Sequence, residues 1–308
     1  MSDKEYTALD SLLKYKNKDS SIDVIYPLTK TSNVKTSEDI EVMLTGNIGS
    51  FKNGDIIPAN TTVDDVIRKL LQVQIPPVYT EPSVSVVVSA GSGGGSYEEG
   101  TSVSAIVTAT FTQNDAGPLS TIEITKNGTS MVSGNKSTIS HTETFTVSGT
   151  TTFTAIASYG EGETKQDNFG NDYPTGKIAS GSKTSNSITY KSYRKYFWGC
   201  DSSTSAPANS SDVRALSNAS TSGASEKTTI KISVKAGESR VCFAYPATLR
   251  DVSSIKYVEF NNDEIKSFFN STVISVEGAN GYAGIDYKVY TYIPDQPFPS
   301  DMTFNVTI

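Results

Sequence analysis

Residues 102–112 have the sequence Ser-Val-Ser-Ala-Ile-Val-Thr-Ala-Thr-Phe-Thr, in which apolar and polar side chains alternate. Successive side chains of a β-strand point to opposite faces, so this alternation predicts a strand that buries one face. The side chains predicted to be buried are Val103, Ala105, Val107, Ala109 and Phe111. The Ser and Thr residues between them suit a face that is exposed to solvent.

The same alternation recurs on both sides of this stretch. Its members are Val84, Val86 and Val88, then Ile122 and Ile124, Phe145 and Val147, Phe153, Ala155, Ala157 and Tyr159, and finally Ile188 and Tyr190. Turn signals separate these segments, such as Asn127-Gly128, whose two residues both tolerate positive φ. Short strands at this spacing predict an immunoglobulin-like β-sandwich over residues 79–190, although no Cys–Trp–Cys core is present.

Residues 191–308 are predicted to form a second β-domain. We expect an aromatic strand over residues 193–200 and then a long surface loop over residues 201–229, which are rich in Ser, Ala and Asn. Further strands are predicted over residues 230–234, 240–245, 255–260, 273–276, 284–292 and 303–308.

Residues 39–78 are predicted to form a small module that contains the clearest helix. Thr62 is a suitable N-cap, and Asp65 three residues later completes a pair that resembles a capping box. Helical spacing predicts an apolar stripe of Val63, Val66, Ile67, Leu70 and Leu71. We expect Pro76-Pro77 to end the helix and to begin an extended linker.

Residues 1–38 form a polar arm for which two interpretations stay open. Leu9, Leu12 and Leu13 have helical spacing, whereas Ile22, Val24 and Tyr26 alternate as in a strand. The arm is either a frayed terminus or a segment that orders against another subunit. In the second case the candidate assembly residues are Leu9, Leu12, Leu13, Ile22, Val24 and Ile25, together with Val66 and Leu70 of the helix.

Composition limits the chemistry that this chain can perform. Its 308 residues include one histidine, one tryptophan and two cysteines, and the formal net charge is −7. Without a sustained basic patch, we expect no binding to nucleic acid. Residues 1–20 lack the pattern of a signal peptide, and no apolar run is long enough to span a membrane, so we expect no membrane insertion. We expect Cys200 and Cys242 to remain free thiols, although they could pair.

Three groups of side chains are candidates for chemistry, and each has a simpler explanation. A strand would put His141 and Glu143 on one face, but no Gly-x-Ser-x-Gly elbow supplies a serine nucleophile. Residues 91–95 are rich in glycine but lack the Lys-Ser/Thr of a phosphate-binding loop, which favours a flexible hairpin connection. Asp167, Asn168, Asn171 and Asp172 offer oxygen ligands for calcium, without an evident closing carboxylate. A solvated turn is therefore favoured there.

Carbohydrate chemistry is a further candidate. Glu98-Glu99 lies on a predicted loop tip and does not resemble the separated carboxylates of a glycosidase. The candidate glycan contacts are Trp198, Tyr290 and Tyr292, with Tyr287 beside them. Aromatic residues in strands usually fill cores or form cross-strand pairs, and we favour that role here. We therefore expect no catalytic residue, no cofactor and no metal.

Residues 47–71 carry a resemblance to a known family. Their sequence is Asn-Ile-Gly-Ser-Phe-Lys-Asn-Gly-Asp-Ile-Ile-Pro-Ala-Asn-Thr-Thr-Val-Asp-Asp-Val-Ile-Arg-Lys-Leu-Leu. It resembles a module of tailed-bacteriophage virion proteins, in which a Gly-Asp-x-Ile-Pro-Ala-Gly-Thr-Thr phrase precedes a short helix and a Pro-rich link to an immunoglobulin-like domain. Asn60 replaces the last glycine of that phrase. Residues 240–246 and 284–292 look like the terminal β-domain of the same proteins, which occur in phages of gut Bacteroidales, including crAss-like phages.

The resemblance covers residues 39–308 and implies a function in a phage particle. We expect a mainly β chain, with a small helix-bearing N-terminal module, an immunoglobulin-like β-sandwich and a C-terminal β-sandwich domain. It would be a non-enzymatic structural component of a virion, in a tail, baseplate, collar or head appendage, assembled in the host bacterial cytoplasm. The expected partners are other phage structural proteins and further copies of the chain in a trimer or ring. The alternative is a glycan-binding adhesin or receptor-binding module that contacts a host surface glycan, and a hydrolase is least favoured.

Overall fold

The structure, a computed structural model, describes residues 13–16, 22–25, 35–43, 48–221 and 228–308, the first two ranges as backbone. These residues are mainly β-structure, and their two α-helices are Val63–Leu71 (α1) and Ser210–Arg214 (α2). The predicted fold class is therefore confirmed. The chain divides into two compact units. The first contains Met1–Tyr79 and Thr164–Lys177, and the second contains Thr80–Glu163 and Ile178–Ile308.

The strands follow one another along the whole chain. In chain order they are Leu13–Lys16 (β1), Ile22–Ile25 (β2), Ile40–Glu41 (β3), Ile56–Ile57 (β4), Ser83–Gly91 (β5), Gly95–Glu98 (β6), Ser102–Thr112 (β7), Leu119–Lys126 (β8), Thr129–Gly134 (β9), Thr138–Thr146 (β10), Thr150–Tyr159 (β11), Lys165–Gln166 (β12), Asp172–Tyr173 (β13), Gly181–Thr184 (β14), Ile188–Tyr193 (β15), Phe197–Asp201 (β16), Asn218–Ala219 (β17), Thr229–Val234 (β18), Arg240–Pro246 (β19), Ser254–Tyr257 (β20), Asp263–Glu264 (β21), Asn270–Val276 (β22), Ile285–Tyr292 (β23) and Met302–Thr307 (β24). Among the described strands, β6 and β15 form the one parallel pair.

The described residues of the first unit form the two-stranded antiparallel sheets β1-β2, β3-β4 and β12-β13. Leu13 lies in β1, opposite Ile25 of β2, so the predicted helical turn at Leu13 is wrong. The strand predicted at Ile22 and Val24 is confirmed by β2. Leu9 and Leu12 lie outside the described residues.

Helix α1 begins as its sequence predicts and ends earlier than predicted. The Thr62 hydroxyl accepts a hydrogen bond from the backbone N–H of Asp65 at 3.1 Å and donates one to the Asp65 carboxylate at 2.6 Å. The first of these bonds satisfies a backbone N–H at the helix start that has no partner within the helix. The helix ends at Leu71, since Gln72 is already extended. The prolines at residues 76 and 77 therefore lie in the extended linker and do not end the helix.

Residues 83–193 form the first sandwich of the second unit. One sheet has the order β10-β7-β5, and the other has the order β6-β15-β11-β8-β9, with β14 also paired to β11. The five predicted inward residues of β7 are all buried, as are Ile122 and Ile124 of β8. Asn127 and Gly128 both have positive φ, at +51° and +81°, which confirms the predicted tight turn.

Residues 91–95 carry the chain from one sheet to the other, which corrects the expected hairpin connection. β5 belongs to the three-stranded sheet, whereas β6 pairs with β15 in the opposite sheet. The Tyr190 hydroxyl donates to the carbonyl oxygen of Ser92 at 2.6 Å, and the Tyr97 hydroxyl donates to that of Gly93 at 2.5 Å. The glycine-rich segment is thus a crossover held by two tyrosines.

Residues 197–307 form a second sandwich. Its sheets have the orders β17-β16-β19-β23-β22 and β18-β24-β20-β21. Val241, Phe243 and Tyr245 of β19 belong to one buried cluster, whereas Cys242 and Ala244 belong to another, which also contains Val213 and Leu216. All seven residues of β19 are buried, so this strand is covered on both faces.

Two predictions for this half of the chain are corrected. The strand predicted over residues 193–200 is two strands, because β15 ends at Tyr193 and β16 begins at Phe197. The loop predicted over residues 201–229 contains α2 and β17. The Asn209 side chain caps α2 by accepting the N–H of Asp212 at 3.1 Å. A five-residue helix is too short to produce a helical period in the sequence.

Both cysteines are free thiols, as predicted. In the β16–β19 register Cys200 lies opposite Val241, and Cys242 lies opposite Gly199. Residues directly opposite share a face and successive residues alternate, so the two thiols point to opposite faces of one sheet. Burial raises the pKa of Cys200 to about 12 and that of Cys242 to about 11.

We expect the free energy of unfolding to fall at alkaline pH. Burial raises the pKa of Tyr196 to about 12, so Tyr196 joins the two thiols as a group that loses its proton later in the folded chain than in the unfolded chain. The stabilisation is complete below the ordinary thiol pKa of about 8.5 and is lost as the pH rises through the folded values. Denaturant unfolding at a series of pH values measures the effect.

The Tyr196→Phe variant provides a matched comparison. Within the described residues the buried Tyr196 hydroxyl makes no hydrogen bond, so its removal should cost little at neutral pH. The alkaline loss of stability should be shallower in this variant. Stability that stays constant from neutral pH to about pH 12 would contradict the assignment.

Candidate interaction surfaces

Helix α1 exposes its apolar stripe. The exposed fractions are 40% for Ile67, 42% for Leu70 and 75% for Leu71. Val66 is half-buried, and α1 has no buried residue. A helix usually gains most of its stability by packing an apolar face against other elements. The stripe of α1 is therefore as apolar as the packed face of a helix, but it is not buried.

The rest of the module has little interior. Within residues 35–43 and 48–79, Phe51 is the one buried apolar residue. The turn that carries Phe51 lies against the end of α1, where the N–H of Ser50 donates to the carbonyl oxygen of Lys69 at 3.0 Å. A larger set of apolar side chains in this part of the chain is exposed, and we call it the module surface. Its members are Ile40, Met43, Ile48, Ile56, Ile67, Leu70, Leu71, Val73, Ile75 and Val78.

Asn60 fits the position at which the resemblance expects glycine. Its φ is +67°, in the left-handed region that glycine favours. Asn is among the few other residues that tolerate this conformation. The replacement therefore preserves the turn that leads into α1.

The candidate calcium ligands hold the linker after α1. The Asp167 carboxylate accepts the N–H groups of Phe169 and Asn171 at 2.9 and 2.8 Å, and the side-chain amide of Gln74 at 2.6 Å. The Asn168 side chain accepts the N–H of Ile75 at 2.7 Å. Burial raises the pKa of Asp167, but the hydrogen bonds lower it by a larger amount. The pKa of Asp167 therefore lies below its ordinary value. Nowhere in the described part of the chain do three or more His, Cys, Asp or Glu side chains form a group suited to a metal ion.

Glu98 joins the two sandwiches of the second unit. It ends β6 in the first sandwich and is 9% exposed. Its carboxylate accepts one hydrogen bond from Arg214 of α2 at 2.6 Å and another from Lys195 at 2.9 Å. A carboxylate with so little exposure needs such partners, because an unpaired charge is costly to bury.

Glu99 makes a second set of contacts beside the first. Its carboxylate accepts the Nε–H of Arg194 at 2.6 Å, and its carbonyl oxygen accepts the N–H of Ala279 at 2.8 Å. The Arg194 guanidinium also donates to the carbonyl oxygens of Val276 at 3.3 Å and Ala283 at 2.6 Å. The two neighbouring glutamates therefore bond to several segments of the second sandwich. The prediction that they form a loop tip is wrong.

Two glycines allow the backbones to approach closely at this junction. Gly100 has a φ of +94°, and a Cβ atom there would lie 2.3 Å from the carbonyl oxygen of Ala279. A Cβ atom on Gly278 would lie 2.3 Å from the carbonyl oxygen of Glu99. No real side chain tolerates such a distance, so both positions require glycine. The junction is consequently built from close backbone contact as well as from charge.

The pKa of Glu98 reflects two opposing effects. Burial raises it, whereas the hydrogen bonds and charges of Arg214 and Lys195 lower it, and the result lies below the ordinary value. Glu98 is therefore ionised at neutral pH and the ion pairs are formed. Adjacent acidic residues were the only sign of this junction in the sequence, because their partners lie about a hundred residues further along the chain.

His141 lies on an edge strand, as the simpler explanation predicts. β10 is at the end of its sheet, and the His141 ring lies 3.2 Å from the Glu143 carboxylate. Lys126 donates to the other oxygen of Glu143 at 2.7 Å, and this hydrogen bond contributes most to lowering the pKa of Glu143. Glu143 thus forms an ion pair with Lys126 on the inward face of β10, where it lies opposite the buried Ala105, and the described residues place no serine hydroxyl on His141.

The candidate glycan contacts belong largely to the core of the second sandwich. Tyr290 is 7% exposed, and its ring stacks on Phe243 with centroids 5.0 Å apart. Trp198 and Tyr292 are partly buried and pack against the same cluster. Among the residues whose burial the structure describes, the most exposed aromatic rings are Phe260 and Phe268, which the sequence did not single out.

Comparison with known proteins finds no family model, no curated protein and no solved structure that matches the chain. No helix in the described ranges has the length and the apolar character needed to cross a membrane.

We expect Glu98→Gln to destabilise the second unit by about 3 kcal/mol, because it leaves Arg214 and Lys195 without their charged partner in a mostly buried site. The expected result is a lower denaturation midpoint, and the two sandwiches should unfold in separate steps. Tryptophan fluorescence follows the second sandwich, which contains Trp198, and circular dichroism follows both.

The exposed pair of Glu81 and Lys183, 2.9 Å apart, offers a matched control. Glu81→Gln should change stability little, because surface ion pairs contribute little. The pH dependence adds a second test. Because the folded pKa of Glu98 is lowered, its stabilisation is present above the unfolded value of about 4.3 and is lost as the pH falls through the folded value. Equal stability of Glu98→Gln and the unchanged chain would contradict the role of this residue.

Proposed function

We propose that this chain is a non-enzymatic structural component of a tailed-bacteriophage particle, which acts by binding neighbouring subunits. The resemblance of residues 39–308 to virion proteins supports this proposal, and so does the mainly β fold. The observation that carries it is the exposed apolar stripe of α1 in a module with one buried apolar residue among those described. Such a surface is typical of a segment that completes its core against another protein.

The contribution of this surface to assembly is considerable. Burying a leucine side chain fully stabilises a complex by about 1.5–3 kcal/mol relative to leaving it exposed. Leu71 is 75% exposed and Leu70 is 42% exposed, and the module surface adds further side chains of the same kind. Part of this gain is offset by the entropy lost on association. Neighbouring virion subunits, including further copies in a trimer or ring, are the proposed partners.

The arm of residues 1–38 would extend this surface. Leu13, Ile22, Val24 and Ile25 lie in the β1-β2 pair, and Leu9 and Leu12 lie outside the described residues. A two-stranded sheet alone is marginally stable in water. The arm would therefore become stable by packing against a neighbouring subunit. Tail, baseplate, collar and head appendage all suit such a component.

A glycan-binding adhesin is the second candidate, and one observation favours it. Phe260 and Phe268 are both more than half exposed on the second sandwich, and each stacks on a tyrosine that anchors it. Exposed aromatic rings held in place are suitable platforms for a sugar ring. No cofactor, metal or nucleic acid has a place in either proposal.

We expect a chain without residues 1–38 to remain a folded, soluble β-protein that no longer joins particles. The reason is that the second unit has its own buried clusters, whereas the arm would serve the neighbouring subunit. Circular dichroism measures the fold, and mass spectrometry of particles purified from a complemented infection measures incorporation. Normal incorporation of the truncated chain would count against the proposal.

The variant Leu70→Glu tests the helix alone. It should abolish incorporation with little effect on folding, because it puts a charge into the proposed contact from a position that is 42% exposed in the free chain. Arg68→Gln is the control, since the Arg68 side chain is exposed and outside the apolar stripe. Both variants should keep the circular dichroism spectrum of the unchanged chain. If both variants lost incorporation, or if neither did, the result would contradict a specific role of the apolar stripe in assembly.

A glycan array distinguishes the second candidate. An adhesin should bind a limited set of glycans, and Phe268→Ala should remove that signal. The absence of any selective signal would contradict the glycan-binding candidate.

A further inference from the structure

β22 is an edge strand that lacks the usual protection. Its sequence is Asn-Ser-Thr-Val-Ile-Ser-Val, without a charged residue or a proline. It pairs with β23 over seven residues without a bulge, and β23 is its one strand partner within the described residues. The opposite side of the strand therefore presents N–H and C=O groups that have no ladder partner there.

Other long edge strands of the second unit carry features that discourage pairing. β5 has a bulge between Val88 and Ala90. The Asn186 side chain also covers this edge, accepting the N–H of Val86 at 3.1 Å and donating to its carbonyl oxygen at 2.9 Å. β9 has a bulge in its pairing with β8. Bulges and capped backbone groups both keep a second strand away.

Charge or short length protects the remaining edges. β10 carries His141 and Glu143, and β18 carries the exposed Lys231. β6 has four residues and ends at Glu98, whereas β17 and β21 have two residues each. Charges and short length are common ways in which natural sheets avoid edge-to-edge contact. β22 has no charge, no bulge and no capping side chain, and α2 lies against its C-terminal end, where Val213 and Val276 share one buried cluster.

The exposed side chains of β22 are small and uncharged. Asn270 to Val273 are all exposed, on both faces of the strand, and Val273 is 63% exposed. Phe268, just before the strand, is also exposed and stacks on Tyr292 with centroids 6.0 Å apart. The edge thus combines free backbone groups with apolar side chains.

We propose that β22 is a self-association edge, through which two copies of the chain pair antiparallel and join their five-stranded sheets across a twofold axis. A symmetric contact puts the same strand on both sides, so the strand must be complementary to itself. In a register centred on Val273, Thr272 lies opposite Ile274 and Ser271 lies opposite Ser275. No like charges meet in this arrangement, because β22 has no charge.

A second copy is the occupant that this strand suits best. A basic or acidic partner strand would find no opposite charge along β22, whereas a second β22 meets polar and small apolar side chains of its own kind. The proposal is independent of the module surface, which belongs to the other unit.

The variant Val273→Glu tests the proposal in the full chain. Val273 is 63% exposed, so the new carboxylate stays in solvent and the fold is retained. Lys288, opposite Val273 in the β22–β23 register, already pairs with Asp251 at 2.6 Å. Across the twofold axis, two glutamates would face each other. Analytical ultracentrifugation over a range of concentrations should show a monomer–dimer equilibrium for the unchanged chain and loss of the dimer for Val273→Glu.

Val87→Glu is the matched control. Val87 is 52% exposed on β5, an edge that Asn186 already caps. This variant should keep the dimer. A chain that is monomeric at every concentration, or a Val273→Glu variant that still forms the dimer, would overturn the proposal. Dimer loss in Leu70→Glu but not in Val273→Glu would assign association to the module surface and would likewise overturn it.

Cross-linking provides a direct readout of the register. In a register centred on Val273, two copies of Val273→Cys bring their thiols together across the axis, at about 5 Å between Cβ atoms. Mild oxidation should give a covalent dimer for Val273→Cys and none for Val87→Cys. The native thiols interfere little, because burial raises the pKa of each. Failure of every single-cysteine variant over residues 271–275 to cross-link would contradict strand pairing.

Discussion

A buried carboxylate between two sandwiches is the constraint on which the second unit depends. Glu98 has little exposure, so it requires Arg214, which lies in the second sandwich, and Lys195, which lies in the connection between the two sandwiches. Arg214 is held in place by α2, and Glu98 is held by the parallel pairing of β6 with β15. The sheet switch at residues 91–95, the short helix and the two close glycines therefore serve one junction. If Arg214 and Lys195 did not pair with Glu98, the close contact between the two backbones would leave the Glu98 carboxylate buried without a partner.

The sequence was informative wherever structure repeats with a short period. The alternation in residues 102–112 correctly predicted the buried face of β7, and the Thr62–Asp65 pair correctly predicted the start of α1. Both signals are local, because they depend on neighbours within one strand or one turn. The same reasoning missed α2, since five residues cannot show a helical period, and it placed Leu13 in a helix when it lies in β1.

The features that the sequence could not predict depend on contacts between residues far apart in the chain. Glu98 and Arg214 are 116 residues apart, and no pattern within either segment points to the other. The aromatic residues illustrate the same limit. Tyr290 and Phe260 are both aromatic and both close to a strand end, yet one lies in the core and the other is exposed. Only the packing of the two sheets separates them. The virion function stays a prediction that rests on the resemblance and on the exposed stripe of α1.

The enclosure of the junction also determines how the chain responds to salt. At physiological ionic strength, charges more than about 8 Å apart in solvent are largely screened, whereas buried pairs are screened much less. The exposed pair of Lys235 and Asp301 is open to counterions, but Glu98 and Arg194 are shielded by the sandwiches themselves. A high salt concentration would therefore weaken the exposed ion pairs but leave the ion pairs between the two sandwiches intact. The second unit would therefore keep this part of its architecture in both dilute and saline solution.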